Sequence, residues 1–498
     1  MAERPGGAEH TLRDLPDLRI AGGLLVVAVL LTPVLATAPT VAMVISGGML
    51  LALVTALWPV GALVAYISLA PVLAGLDRGA VVPFLRLNEV LLLPVLGGLA
   101  LVVLQRYLRS GRAAGRLHAL DAAVVAVALT GSVSTLLWMY ARGRDFSTDD
   151  LLYALTLWKL VVVYAAVRLV LRDARAVRHA LNAIMLSAGV IGVIGVLQAV
   201  GVGPVIDVLG ALVPPGEGGY ALTANRATST LGNPIAYGDL MLYAGISAAA
   251  LALWVPGRAR LLWTAAAALA LCAVASGQAS IVVGLVVAGS AFAVTTGTVR
   301  RAVVPAAAFV AVALTALQPV LAARLSSADP ATGLPRSWTG RYGRLDNLEQ
   351  YFWPRIQDNY NWLFGVRTAG RVPGRESWRE WVYIESGYAW ALWTGGLLMV
   401  VMVLVVLVVA ARTGHRLARS GDPTAGAMGT TLTTVAWMLS ALLIFDPHLT
   451  FRGAGEVLFV LLALGANLDV RAHPEVRVRT KESMRTDEAV PRERRATA

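Results

Sequence analysis

The sequence predicts an all-α integral membrane protein of about 12–14 transmembrane helices, with one large extracytoplasmic loop. Three observations carry that expectation. Of the 498 residues, 57% are hydrophobic and only 14% are charged, too few charges to cover a soluble protein of this size. The mean hydropathy is +0.68, concentrated in long uncharged runs such as a bilayer demands of a spanning helix. Finally, the basic residues recur in alternate short connections between those runs, which is the pattern of a threaded chain.

Taken in order, 1–19 is a cytoplasmic N-terminal tail in which Arg4, Arg13 and Arg19 are balanced by Glu3, Asp14 and Asp17. The run at 20–38 ends in Ala36-Thr37-Ala38, which resembles a signal-peptidase site. Because it lacks a positive leader and exceeds a typical signal core, it is taken as a retained first span. Further runs lie at 40–57, 58–76, 88–105, 120–139, 151–171, 179–200, 236–255, 260–276, 279–297 and 302–322, which closes the first transmembrane region, 20–322. Only Trp58-Pro59 separates the second from the third. The C-terminal transmembrane region, 386–469, holds runs at 386–411, 426–445 and 453–469, and 470–498 is a basic, disordered cytoplasmic tail.

With the N-terminus inside, the inner connections carry Arg106 to Arg116, Arg172 to Arg178, Arg258 and Arg260, Arg300-Arg301 and Arg412 to Arg419. All are short and rich in arginine, as the positive-inside rule requires. The net charge of +12 is thus a matter of topology rather than of nucleic-acid binding. Cys272 is the sole cysteine and lies in an apolar run, so no intramolecular disulfide and no thiolate metal site can form. There is no phosphate-binding glycine loop, zinc-protease helix, nucleophile elbow or dinucleotide fingerprint. The lack of the first argues against an ATP-driven pump.

The outer segments stand out by length, at 201–236 and 323–385. The second interleaves Trp338, Trp353, Trp362, Trp378 and Trp381 with eight arginines between Arg336 and Arg379. Stretches such as Leu345 to Gln357 read as short amphipathic helices. Guanidinium forks grip phosphate oxygens and aromatic faces pack on sugar rings, so the mixture suits an anionic ligand joined to sugar. The plain alternative is an interfacial aromatic belt with snorkelling arginines. Of six histidines, only His448 falls in an outer segment, where it and Arg452 either serve the site or are interfacial.

Three stretches resemble the O-antigen ligase and O-antigen polymerase superfamily. Arg226 precedes the turn Gly232-Asn233-Pro234 before a span, Thr339-Gly340-Arg341 stands ahead of Trp353-Pro354 and Leu363-Phe364-Gly365, and Glu385-Ser386-Gly387-Tyr388 runs on to Gly395-Gly396. The chain departs from the pattern in two places, with Glu385-Ser386 where ligases carry His-Asn and Gly277-Gln278-Ala279-Ser280 where many members place Ser-Arg.

The resemblance implies a GT-C-like membrane glycosyltransferase working at the outer face of the cytoplasmic membrane, with no nucleotide, metal or other cofactor. It would polymerise or ligate a polyprenyl-diphosphate-linked saccharide onto a glycan or lipid acceptor, alongside polysaccharide-assembly proteins. Arg226 would hold the diphosphate, helped by Arg341 and Arg344, while Asn233, Tyr388 and Trp381 would face the glycan. Glu385 would be the general base, with His448 as the substitute, and a helix-start acid is the competing account of Glu385. The rival expectations are a transporter or flippase for such lipids and a non-catalytic part of an export machine. A transporter should carry intramembrane charges, and Lys159 stands out in the sequence as a single one.

Overall fold

The computed structural model describes residues 39–79, 82, 84–110, 117–213, 226–299, 315, 318, 322, 326, 336–375 and 380–472. The expected span at 20–38, most of that at 302–322, the N-terminal tail, 473–498 of the C-terminal tail, Trp378 and Arg379 lie outside them.

The other twelve expected spans are all helices. They are α1 (Pro39–Leu57), α2 (Pro59–Leu73), α3 (Leu87–Ser110), α4 (Ala119–Ala141), α5 (Thr148–Val170) and α6 (Ala174–Ala199). A ten-residue α7 (Gly203–Leu212) follows, which the sequence reading did not anticipate. Then come α8 (Pro234–Trp254), α9 (Ala259–Ala275), α10 (Ala279–Thr296), α11 (Gly387–Ala418), α12 (Pro423–Leu442) and α13 (Ala454–Ala472). Among the described residues, eight helices are long and apolar enough to cross a membrane, the architecture of a multi-pass membrane protein.

α12 and α13 fall short of that apolarity for a physical reason. Nearly every residue of α8, α12 and α13 is buried inside the protein, so these helices need not present apolar side chains to lipid. α12 carries Thr430, Thr431, Thr433 and Thr434, all buried. The surrounding helices turn Leu93, Leu186, Leu261 and Val286 outward, the apolar exterior that a bilayer favours.

Trp58, at φ −135° and ψ 64°, is non-helical and Pro59 has no N–H to continue the ladder. Gly48, Gly97 and Gly98 show that α1 and α3 approach in register, Gly48 nearest Pro94 and Ala52 nearest Gly97 and Gly98, so these helices run in the same direction. The C-terminal end of α2 instead meets Gly453 and Leu231, beside the start of α13. The chain therefore reverses at Trp58.

Helix ends alternate between two poles. At one pole, Asp469 of α13 accepts from Arg416 of α11 at 2.6 Å and lies 3.0 Å from His118, the N-cap of α4. The described parts of the connections that alternation places outside, namely 74–79, 84–86, 142–147, 226–233, 336–375, 380–386 and 443–453, gather at the other, termed here the loop pole. Which pole faces outward is tested by reporter fusions: a reporter active only outside should work at Arg371 and fail at Arg416, and the reverse pattern overturns the assignment.

The large loop carries short helical turns at Arg336–Thr339, Arg344–Asn347, Trp353–Gln357 and Asn361–Phe364. It also contains a hairpin that was not foreseen, with β1 (Arg371–Pro373) antiparallel to β2 (Trp381–Tyr383) and Val372 opposite Val382. The loop is seated on a break in α11. Gly396 has φ 66°, and a Cβ there would strike the backbone of Leu363 and Phe364. Val366 N–H donates to Trp393 O at 2.7 Å, and the single Thr135 hydroxyl lies within hydrogen-bond reach of Thr394 O and Phe364 O. Two motifs read separately in the sequence, Leu363-Phe364-Gly365 and Gly395-Gly396, are thus one contact.

Candidate functional site

At the loop pole a cavity of about 250 Å³ opens between the helix ends and the hairpin. Its cations come from four places: Arg78 and Arg86 from the α2–α3 connection, Arg371 from β1, Arg452 before α13, and Lys159 from α5. Asp149, Glu385, Asp446 and Glu89 supply the acids, while Tyr153, Trp390, Tyr383 and Phe451 supply aromatic surface.

The depth of the cavity is set by Lys159, eleven residues into α5 and so about 16 Å from its start. Its ammonium lies 3.1 Å from Glu89 Oε1 and 2.8 Å from Glu456 Oε1. Each acid also uses its second oxygen on a helix start. Glu89 accepts from Arg86 N–H at 3.0 Å and Glu456 from Gly453 N–H at 2.6 Å. Asn88 donates to Glu456 at 3.1 Å. The sequence presents Lys159 as a lone intramembrane charge, and the fold corrects this, because helix packing brings two distant carboxylates to it.

The wall is fixed by loop-to-helix ion pairs. Arg367 donates to Asp150 at 2.9 and 2.8 Å, and Thr368 donates to Asp150 O at 2.6 Å. Arg371 donates to Asp149 at 2.7 Å and lies 4.2 Å over the Trp381 ring. Burial opposes the Arg371 charge, yet hydrogen bonds to Tyr383 and Asp149 outweigh it and raise the guanidinium above its ordinary pKa. Arg371 therefore presents a permanent positive charge at the cavity.

Glu385 lines this cavity, with its side chain 34% exposed. Glu385 directly precedes the start of α11 but does not cap it: Ser386 is the N-cap and accepts from Ala389 N–H. Arg344 Nε instead lies 3.0 Å from Glu385, and the same guanidinium reaches Asp446 at 3.0 Å and Phe445 O at 2.9 Å. Arg344 is thus a strut that joins Glu385 to the α12–α13 turn, with Trp338 stacked 5.3 Å beneath it.

His448 is wholly buried, with Nδ1 2.8 Å from both oxygens of the equally buried Asp239. Burial pulls its pKa down, but the charge of Asp239 and the hydrogen bond to it prevail and raise it. Its Nε2 has no hydrogen-bond partner among the described residues. Pro447 and Asp446 line the cavity, whereas His448 lies behind them.

Asn233 lines the cavity and caps α8, accepting from Ile235 and Ala236 N–H at 2.8 and 3.1 Å. Gly232, at φ 64°, makes the left-handed turn before it, and Pro234 is the first helical residue, so Gly-Asn-Pro is here a helix-start device. Arg226 is not among the cavity-lining residues. The following Ala227 N–H bonds Ala275 O at 2.9 Å, and Gln198 holds Thr228 and Ser229. Arg341 is exposed and lies 5.1 Å over Tyr342. Tyr388 donates to Ser440 O at 2.9 Å and ties α11 to α12 rather than lining the cavity. Trp381 supports Arg371 from behind.

Sequence reasoning missed Arg78, Arg86 and Asp149 as site residues. One signal pointed to them: counting spans places 77–87 and 140–150 at the same pole as the large loop. Compared with known proteins, the chain matches no family model, and no curated sequence matches it.

Proposed function

We propose that this protein is a membrane glycosyltransferase that polymerises or ligates a polyprenyl-diphosphate-linked saccharide at the outer face of the cytoplasmic membrane. The observation that carries this reading is the cavity, whose lining includes both the cations Arg78, Arg86, Arg371 and Arg452 and a carboxylate, Glu385. Transfer from a lipid diphosphate needs cations where negative charge develops on the leaving group, and a carboxylate where the acceptor loses its proton. In the proposed step the acceptor hydroxyl oxygen bonds the anomeric carbon while the bond from that carbon to phosphate oxygen breaks. The electron pair leaves on the diphosphate, steadied by the arginines, and the hydroxyl proton passes to Glu385. Tyr153, Trp390 and Phe451 offer the faces on which sugar rings pack.

A deletion strain separates the two chemistries, since loss of a polymerase leaves single repeat units and loss of a ligase strands whole chains on lipid. For the donor site, Arg78→Ala and Arg452→Ala should each raise the donor KM about tenfold or more, the worth of one charge-assisted contact. Arg226→Ala should leave the KM within about twofold, because it stands outside the cavity lining. The opposite ranking in a purified assay would return the diphosphate to the Arg226 segment.

A second reading is favoured by the Lys159, Glu89 and Glu456 cluster. Ionisable groups at such depth suit a transporter of the same lipids. Reconstitution decides between them, since only the transferase makes a new glycosidic bond in the absence of any membrane gradient.

A further inference from the structure

A second opening of about 360 Å³, sharing no lining residue with the first, is bounded by Trp138, Arg142, Arg144, Asn359 and Tyr360. Its two walls are the turn after α4 and the turn at 358–361, and they are locked together. Trp138 Nε1 donates to Asn361 Oδ1 at 3.0 Å, and Arg142 Nη2 donates to Val366 O at 3.1 Å. Asn359 and Tyr360 have φ 45° and 60°, a left-handed pair that non-glycine residues avoid, which sets Tyr360 at the rim.

The cations here differ from the other loop-pole arginines. Arg344, Arg367 and Arg371 all have carboxylate partners. Among the described residues, neither Arg142 nor Arg144 nor nearby Arg355 is in an ion pair, and Nε and Nη1 of Arg142 are buried without a hydrogen-bond partner. Burial, and then the charge of Arg144, lowers the pKa of Arg142, with Asp358 opposing; burial, and then the charges of Arg375, Arg367 and Arg144, lowers that of Arg355. Like charges gathered beside aromatic faces are relieved by a bound anion. Leu137 and Tyr140, 64% and 74% exposed, continue down the outer surface of α4 from the opening, an apolar path for an acyl chain.

We propose that this cleft binds a phosphate-bearing ligand, in its natural setting the headgroup of an anionic phospholipid. Arg144 and Arg355 hold the phosphate oxygens at the rim, Arg142 stacks 5.3 Å over Trp138 to close the inner side, and the acyl chains run along α4.

The test is native mass spectrometry of the full chain in detergent, titrated with dihexanoyl phosphatidylglycerol and, separately, dihexanoyl phosphatidylcholine. Arg144→Ala and Arg355→Ala alter exposed side chains without ion-pair partners among the described residues, so both variants should stay folded and monodisperse. The expected result is one phosphatidylglycerol whose affinity falls about tenfold in either variant, with Arg144→Lys intermediate. Added inorganic phosphate identifies the source: competition at millimolar level means that phosphate alone suffices, and its failure assigns the site to lipid. Equal binding by wild type and both variants, or equal binding of phosphatidylcholine and phosphatidylglycerol, overturns the proposal.

Discussion

Glu385→Gln should cut turnover about a hundredfold or more while leaving donor affinity and folding intact, because it removes the proposed proton acceptor and keeps the shape. The pairing with Arg344 sharpens this expectation. Arg344 holds Glu385 and Asp446 together, so Arg344→Ala should also lower turnover, but through displacement of both carboxylates, with a loss of thermal stability that Glu385→Gln does not share. His448→Ala should act chiefly on stability, since the ring is buried behind the cavity and its loss leaves Asp239 unpaired. The measurement is multiple-turnover transfer by purified protein alongside thermal unfolding. Normal turnover by Glu385→Gln together with a folded but inactive His448→Ala would move the base to the buried pair, and activity in both would leave leaving-group stabilisation by arginine as the main contribution.

The largest stability effect should come from Lys159→Ala. Lys159 is the cation between Glu89 and Glu456, and Glu456 has only 3% of its side chain exposed. Removing one partner of a buried pair leaves uncompensated charge, at a cost of about 3–5 kcal/mol. Lys159→Ala should therefore lower the unfolding temperature in detergent sharply, or leave little monodisperse protein. Lys159→Met combined with Glu89→Gln and Glu456→Gln should recover much of the loss, since no unpaired ion remains. An unfolding temperature for Lys159→Ala equal to that of wild type would show that the cluster does not hold the helices together. Activity in the stable triple variant then separates roles, because a transferase needs the cluster only as a brace whereas a charge-coupled transporter needs its ions.

The helices were legible in the sequence because their cause is local. A segment such as Gly387 to Ala411 has no stable option in lipid except to satisfy its own backbone hydrogen bonds, and that follows from its composition alone. The reversal at Trp58-Pro59 is equally local, a missing N–H and a fixed proline φ. Alternation of the arginine-rich connections also sorted the helix ends into two groups, and the fold gathers the described members of each group at one pole.

What the sequence by itself determined is therefore the membrane class, the approximate positions of the twelve described spans and the pole at which polar loops collect. Only the tertiary structure decided which charges meet. Glu89 lies 70 positions before Lys159, and His448 lies 209 from Asp239, separations at which no periodicity or motif reports a contact. The same holds for Arg344, whose short distance to Glu385 turns an expected phosphate ligand into a strut. Ion pairs of this kind form because helix packing removes water from both partners at once, so their identity depends on which helices become neighbours, a property of the whole bundle.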